Sequence, residues 1–225
     1  MNLLLFDIDG TLLTITGLDK SAVRKALADV FGRPLSFDGI SFSGKTDPQI
    51  FREIVMLDIQ LGGEFAGTVE HAVTETLEAY KVAARGYMPT AGVRGLPGAV
   101  ERVQHFHEQE DVQLGLVTGN VQEMAYLKLS QIKLDGYFPF GAFGCDAEER
   151  NELPPFALQR ATTHTGQAFS GNDVIVVGDT PRDIECGKCI GATTVGVATG
   201  HFSVDELAAH EPDIVLETLE DFQIP

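Results

Sequence analysis

The sequence predicts an open α/β fold, a parallel sheet covered by helices on both faces, with an all-helical unit inserted near its start. Three observations carry this. Residues 3–6 form a short, wholly apolar run; residues from about 15 to 88 show only helical patterns; and from Pro97 onward strand-like and helix-like segments alternate. Alternation of that kind builds a parallel sheet with helices on its faces. The first apolar run belongs with that sheet, so the expected division is residues 1–14 with 89–225 as core and 15–88 as insertion.

Leu3-Leu4-Leu5-Phe6 is too short for a helix and apolar at every position, as a strand buried on both faces must be. Residues 19–32 read as a helix in which Asp19 caps the start, Val23, Leu27, Val30 and Phe31 form one stripe, and Gly32 stops it. Asp47-Pro48 opens a second helix with Phe51, Ile54 and Val55 on its apolar face, ended by Gly62-Gly63. A third is expected from about Glu64 to Arg85, carrying Phe65, Val69, Val73, Leu77 and Tyr80, with Gly86 closing it. Later strands are expected at 112–117, 140–143, 174–177, 194–197 and 214–216. Helices centred on 100–106, 122–129, 156–163, 183–190 and 204–209 lie between and after them.

Composition narrows the function. The chain has 225 residues and is 44% apolar, enough for a real core. Its net charge of −17, from 33 acids against 16 bases, argues against nucleic acid, because a phosphate backbone would be repelled over most of the surface. No run approaches the roughly 18 apolar residues of a membrane span. The N-terminus lacks the basic start of a signal peptide, and Asp7 and Asp9 interrupt its apolar stretch. Three cysteines fit a reducing cytoplasm, and the single Cys186-x-x-Cys189 pair reads as small helix packing contacts rather than a metal or redox site. The six histidines, His105 and His107 among them, read as solvated or packing residues.

In open α/β sheets a site forms beyond the carboxyl ends of the strands. The first strand ends in Asp7-Ile8-Asp9-Gly10-Thr11, where Gly10 permits a tight turn. The strand at 112–117 ends in Thr118-Gly119-Asn120, a hydroxyl and amides suited to an anion's oxygens. The strand at 174–177 runs into Gly178-Asp179-Thr180-Pro181-Arg182-Asp183, with Pro181 at the first helical position and Asp183 in the opening turn. Asp7, Asp9, Asp179 and Asp183 thus converge. Like charges so close cannot all stay ionised unaided; a hard divalent cation resolves the conflict, and an all-oxygen donor set favours Mg²⁺ over zinc.

These three motifs, in this order, resemble those of the haloacid dehalogenase superfamily of phosphohydrolases, and most nearly its phosphoglycolate phosphatase-like group with a helical cap. The resemblance spans the whole chain and implies a Rossmann-like core with residues 15–88 as the cap. It implies Asp7 as nucleophile forming an aspartyl-phosphate and Asp9 as proton donor to the leaving alcohol. Mg²⁺ would be held by Asp7, the Asp9 backbone carbonyl and Asp179, with Asp183 as ligand or anchor. Relatives that cleave carbon–halogen or phosphonate bonds lack the second acid, so Asp9 implies phosphate-ester chemistry. The family's usual motif lysine before a proline is missing from Glu149-Arg150-Asn151-Glu152-Leu153-Pro154, and Arg150 is the candidate substitute, clamping the transferring oxygens with Thr118. Gly119 and Asn120 would bind substrate, as would Lys45, which lies in a loop resembling the family's substrate-facing cap loop. The expected partner is a small phosphorylated metabolite. Two other readings stand beside hydrolysis: a sugar phosphomutase of the same superfamily, and a non-catalytic binder keeping the fold.

Overall fold

The computed structural model describes residues 1–16 and 19–225. Its main sheet is built from β1 (Asn2–Phe6), β4 (Val112–Val117), β5 (Gly141–Ala142), β6 (Val174–Gly178), β7 (Thr193–Val197) and β8 (Ile214–Leu216). The order is β5-β4-β1-β6-β7-β8, and every neighbouring pair is parallel. The connections leave β1 toward both edges, so the crevice beyond its C-terminal end is the natural ligand site. The helices of this layer are α4 (Ala99–His107), α5 (Gln122–Ser130), α6 (Pro154–Thr165), α7 (Pro181–Lys188) and α8 (Val204–Ala208).

The apolar character of β1 has a direct cause. Leu4 and Phe6 join a cluster with Val103 and Phe106 of α4 and Ala125 and Leu129 of α5; Leu3 and Leu5 join another with Ala157 and Ala161 of α6 and Cys186 of α7. Successive side chains point to opposite faces and both faces are covered, so no position tolerates a polar residue. Phe6 meets Phe138 and Phe222 edge to face, at centroid distances of 6.1 and 6.5 Å.

The inserted helices are α1 (Asp19–Phe31), α2 (Asp47–Gln60) and α3 (Val69–Tyr87). They share a separate apolar core containing Leu27, Phe51, Ile54, Val73 and Tyr80, and Val121 and Met124 at the start of α5 complete it. The insertion is therefore seated on the core through an apolar contact. Its two ends are joined by a two-stranded antiparallel ribbon of β2 (Leu13–Thr16) and β3 (Gly92–Gly95), which the sequence reading lacks. The expected boundaries at 14/15 and 88/89 fall inside β2 and at the short 3-10 turn Met88–Thr90.

Other differences are local. α3 starts at Val69 rather than near Glu64, because Thr68 is the N-cap and accepts from the His71 amide. It continues through Gly86 to Tyr87, where the following turn carries Pro89. The strand expected over 140–143 narrows to Gly141–Ala142. Gly32 ends α1 with φ +67° and its amide on the Ala28 carbonyl; the proposed Asp19 cap involves a side chain outside the described residues. Cys186 is buried against the Arg150 carbonyl, and Cys189 lies on the Asn151 and Cys186 carbonyls, packing contacts in both cases.

Candidate active site

Parallel pairing of β1 with β6 brings the two acid motifs together. The Asp7 amide donates to the Val177 carbonyl at 2.9 Å, and the Thr11 hydroxyl donates to Asp179 Oδ1 at 3.1 Å. Asp179 sits in a glycine cradle: a Cβ at Gly10, whose φ is +87°, would lie 2.4 Å from its Oδ2, and one at Gly200 would lie 1.8 Å away. Only residues without side chains leave room for this carboxyl. Asp183 stands at the third position of α7 and caps it, accepting from the Thr180 amide at 2.9 Å and hydroxyl at 2.7 Å through Oδ2. Gly178 makes that possible, since a Cβ there would meet Asp183 Cγ at 2.1 Å. Carboxylate oxygens of Asp7, Asp179 and Asp183, all three residues buried, lie within 4.8 Å of one another.

The counter-charge is Arg150, 3% exposed, from the short 3-10 turn Arg150–Glu152 that leads into α6. Its Nη2 pairs with Asp7 Oδ1 at 2.9 Å and with Asp183 Oδ1, and also donates to the Val117 carbonyl at 3.3 Å. Burial pushes the Asp7 carboxyl up to about 6; Arg150 opposes this, while Asp183 and Asp9 add to it. Burial, reinforced by Asp183 and Asp7, pushes Asp179 up to about 9. Burial weighs most heavily against the Arg150 charge, yet the carboxylates of Asp183 and Asp7 hold its proton above the ordinary arginine range. The site thus carries more negative charge than one guanidinium offsets.

A second polar group stands beside it. Asn120 donates through Nδ2 to Asp9 Oδ2 at 2.7 Å and to Thr118 Oγ1 at 2.9 Å, and Lys128 Nζ donates to Asp9 Oδ2 and Asn120 Oδ1, each at 2.6 Å. The Asn120 amide is committed to organising Asp9 and Thr118. Lys128 is not among the site residues expected from the sequence. The available signal was its spacing: it falls four residues after Met124 and three after Ala125, both buried, on a helix face where lysine is unusual.

The inserted unit closes over this floor through the loop before α2. The Asp47 amide donates to the Gly119 carbonyl at 2.7 Å, the Val121 amide to Asp47 Oδ2 at 2.8 Å, the Thr46 hydroxyl to the Glu148 carbonyl at 2.5 Å, and Arg150 Nη1 to the Gly44 carbonyl at 3.2 Å. A cavity of about 410 Å³ remains, with Asp7, Asp9, Thr118, Gly119, Asn120, Arg150 and Asp179 toward the sheet. Val23, Phe42, Phe51 and Tyr80 line the opposite side. Lys45 also lines it, with Nζ on Glu53 Oε2 at 2.5 Å. Of the expected site residues only Asp183 is set back from the cavity wall, reached through Arg150.

Gly119 has a packing reason for being glycine that the sequence reading did not include. A Cβ there would lie 2.1 Å from the Lys45 carbonyl oxygen and 2.7 Å from its carbon. Both are backbone atoms that cannot rotate aside. Gly119→Ala is therefore expected to lift the loop and lower kcat/KM about 10- to 100-fold, the effect of a displacement near 1 Å at a reacting centre. Steady-state kinetics beside a melting curve will check this; unchanged kcat/KM would show that the loop yields without consequence.

Comparison with known proteins agrees with this geometry. The sequence profile of the haloacid dehalogenase-like hydrolases matches residues 4–197. A protein named pyrophosphatase PpaX from Anoxybacillus flavithermus is 28% identical over 98% of this chain and 94% of its own. A crystal structure described as a predicted phosphoglycolate phosphatase from Haemophilus somnus shares the fold with a TM-score of 0.72 at 20% identity, covering 98% of this chain and 96% of the other. One described as a putative beta-phosphoglucomutase from Thermotoga maritima gives 0.61 at 20% identity, with the same coverage. The chain belongs to the haloacid dehalogenase-like hydrolases, and within them it is a phosphatase. The non-catalytic reading is thereby set aside. Among the described residues no helix is long and apolar enough to cross a membrane.

Proposed function

We propose that the protein is a cytoplasmic, Mg²⁺-dependent phosphatase that hydrolyses small phosphomonoesters through an aspartyl-phosphate on Asp7, with residues 15–88 as the cap. The observation that carries this reading is a buried Asp7 whose Oδ1 is held by Arg150, on the floor of the cavity between the sheet and the inserted helices. The clamp leaves Oδ2 to attack phosphorus in line. Asp9 protonates the leaving alcohol as the P–O bond breaks, then takes a proton from the water that hydrolyses the intermediate. The Thr118 hydroxyl accepts from Asn120, which leaves its own proton for a phosphoryl oxygen. Arg150 stabilises the charge that develops on the transferring group. Lys45 faces the substrate from the cap loop.

The donor set suits a hard cation: it is buried, all oxygen, and shaped by glycines around Asp179. Asp7, Asp179 and the Asp9 backbone carbonyl would hold Mg²⁺. Asp183, with Oδ2 on the α7 cap and Oδ1 on Arg150, anchors the arrangement. When bound there, the ion would supply positive charge toward the phosphoryl oxygens and offset the crowded carboxylates.

Two measurements test this. Released phosphate across a panel of phosphorylated metabolites, with and without chelator, should show turnover only with Mg²⁺; a sugar 1-phosphate converted to its isomer without free phosphate would instead make it a mutase. The second is metal-linked stability. The folded-state values of Asp7 and Asp179, about 6 and about 9, lie above the ordinary 3.8. The metal-free fold then binds more protons than the unfolded chain between these values, so its stability falls as pH rises through that window. Mg²⁺ needs the deprotonated carboxylates. It should raise the melting temperature more at pH 8 than at pH 5, and an equal rise at both would contradict carboxylate ligation.

A further inference from the structure

We infer that Lys128 is a positioning residue for the Asp9 carboxyl, orienting it for proton transfer to the leaving group; the inference rests on the role proposed above for Asp9. α5 presents Lys128 from its inner face, 4% exposed, between Met124 and Ala125 one turn back and Leu129 beside it. An apolar residue would extend this face without cost. Carboxylate and amide oxygens receive the ammonium buried here and offset the cost of its desolvation. Those oxygens belong to the site: Asp9 Oδ2 and Asn120 Oδ1, each 2.6 Å from Nζ.

The geometry closes a triangle. Asn120 Nδ2 is also 2.7 Å from Asp9 Oδ2, so two donors fix the same oxygen while Asn120 is itself fixed by Lys128. The Asp9 side chain is otherwise 41% exposed and would be free to rotate. With Oδ2 held as an acceptor, Oδ1 is the oxygen that carries the transferable proton. It gives that proton to the bridging oxygen as the bond to phosphorus breaks, and receives one from water when the aspartyl-phosphate is hydrolysed. No Nζ proton is consumed.

Leaving-group dependence tests this. An alkyl phosphate needs its leaving oxygen protonated, whereas 4-nitrophenyl phosphate has a leaving group good enough to depart as the anion. kcat/KM, which reports events through ester cleavage, is measured on both for the parent, Asp9→Asn, Lys128→Met and Lys128→Arg. Lys128→Met is expected to lower the alkyl-to-aryl ratio of kcat/KM about 10- to 100-fold, in the same direction as Asp9→Asn, against the roughly 10²- to 10⁴-fold that general acid catalysis supplies. Lys128→Arg should recover part of the ratio. Because both substrates meet the same enzyme, the ratio does not depend on the fraction folded. If Asp9→Asn moves the ratio and Lys128→Met does not, Lys128 is structural and the inference fails alone. If neither moves it, the role of Asp9 fails and takes the inference with it. A rise in KM on both substrates at unchanged kcat would make Lys128 a substrate ligand instead, also overturning it.

Discussion

Asp7→Asn is expected to reduce phosphate release by about 10⁴-fold or more while leaving the fold intact. Asparagine has the same shape and keeps an acceptor oxygen for Arg150, which also retains Asp183. What it removes is the nucleophilic carboxylate. The same substitution takes one charge out of a crowded cluster. In the metal-free protein burial pushes the Asp7 carboxyl up to about 6, above its unfolded value, so at higher pH its ionised form is a cost to the fold rather than a contribution. Metal-free Asp7→Asn should accordingly melt no lower than the parent at pH 8, while gaining less from added Mg²⁺. Phosphate release and melting curves with and without Mg²⁺ read out both halves. Parent-like turnover would dismiss Asp7 as nucleophile.

The acids of this site were legible in the sequence because their positions are local facts. Each follows an apolar run of strand length, and parallel strands in one sheet carry their C-terminal ends to one edge. Arg150 was legible only through its resemblance to a displaced lysine motif; that it serves Asp7 and Asp183 together depends on a turn whose direction no short-range pattern encodes. The β2–β3 ribbon is not legible in the sequence because its strands are four residues each, lack a long apolar run and pair across the entire helical insertion. Lys128 is hidden for a different reason: lysine is a surface residue by default, and the acceptors that Asp9 and Asn120 bring to its buried ammonium come from distant segments. Gly119 stands in an amide-rich turn, but its missing side chain also admits the Lys45 carbonyl from a loop far away in sequence. Local patterns locate the chemistry; contacts between distant segments hold its side chains in place.

Arg150→Met is expected to have the largest combined effect on stability and activity. The guanidinium is buried on Asp7, Asp183, the Val117 carbonyl and the Gly44 carbonyl of the cap loop, so its loss leaves carboxylates without their counter-charge and the loop without one of its ties to the floor. Breaking a buried pair from one side costs about 3–5 kcal/mol, and losing an electrostatic clamp on the transferring group costs about 10²- to 10³-fold in kcat. The pH dependence separates charge from volume. Arg150 lowers the proton affinity of Asp7, so removing it moves the folded-state value of Asp7 above about 6, farther from the unfolded 3.8. Stability is then lost more steeply as pH rises through that interval, and the deficit against the parent should be larger at pH 8 than at pH 5. Added Mg²⁺ should recover part of it by supplying the missing positive charge. Arg150→Lys restores the charge, but a single ammonium cannot fork to acceptors on both sides of the site, so it should regain more stability than activity. A deficit of equal size at both pH values would mean that methionine simply packs badly there, and Arg150 would lose its standing as the counter-ion of the acidic cluster.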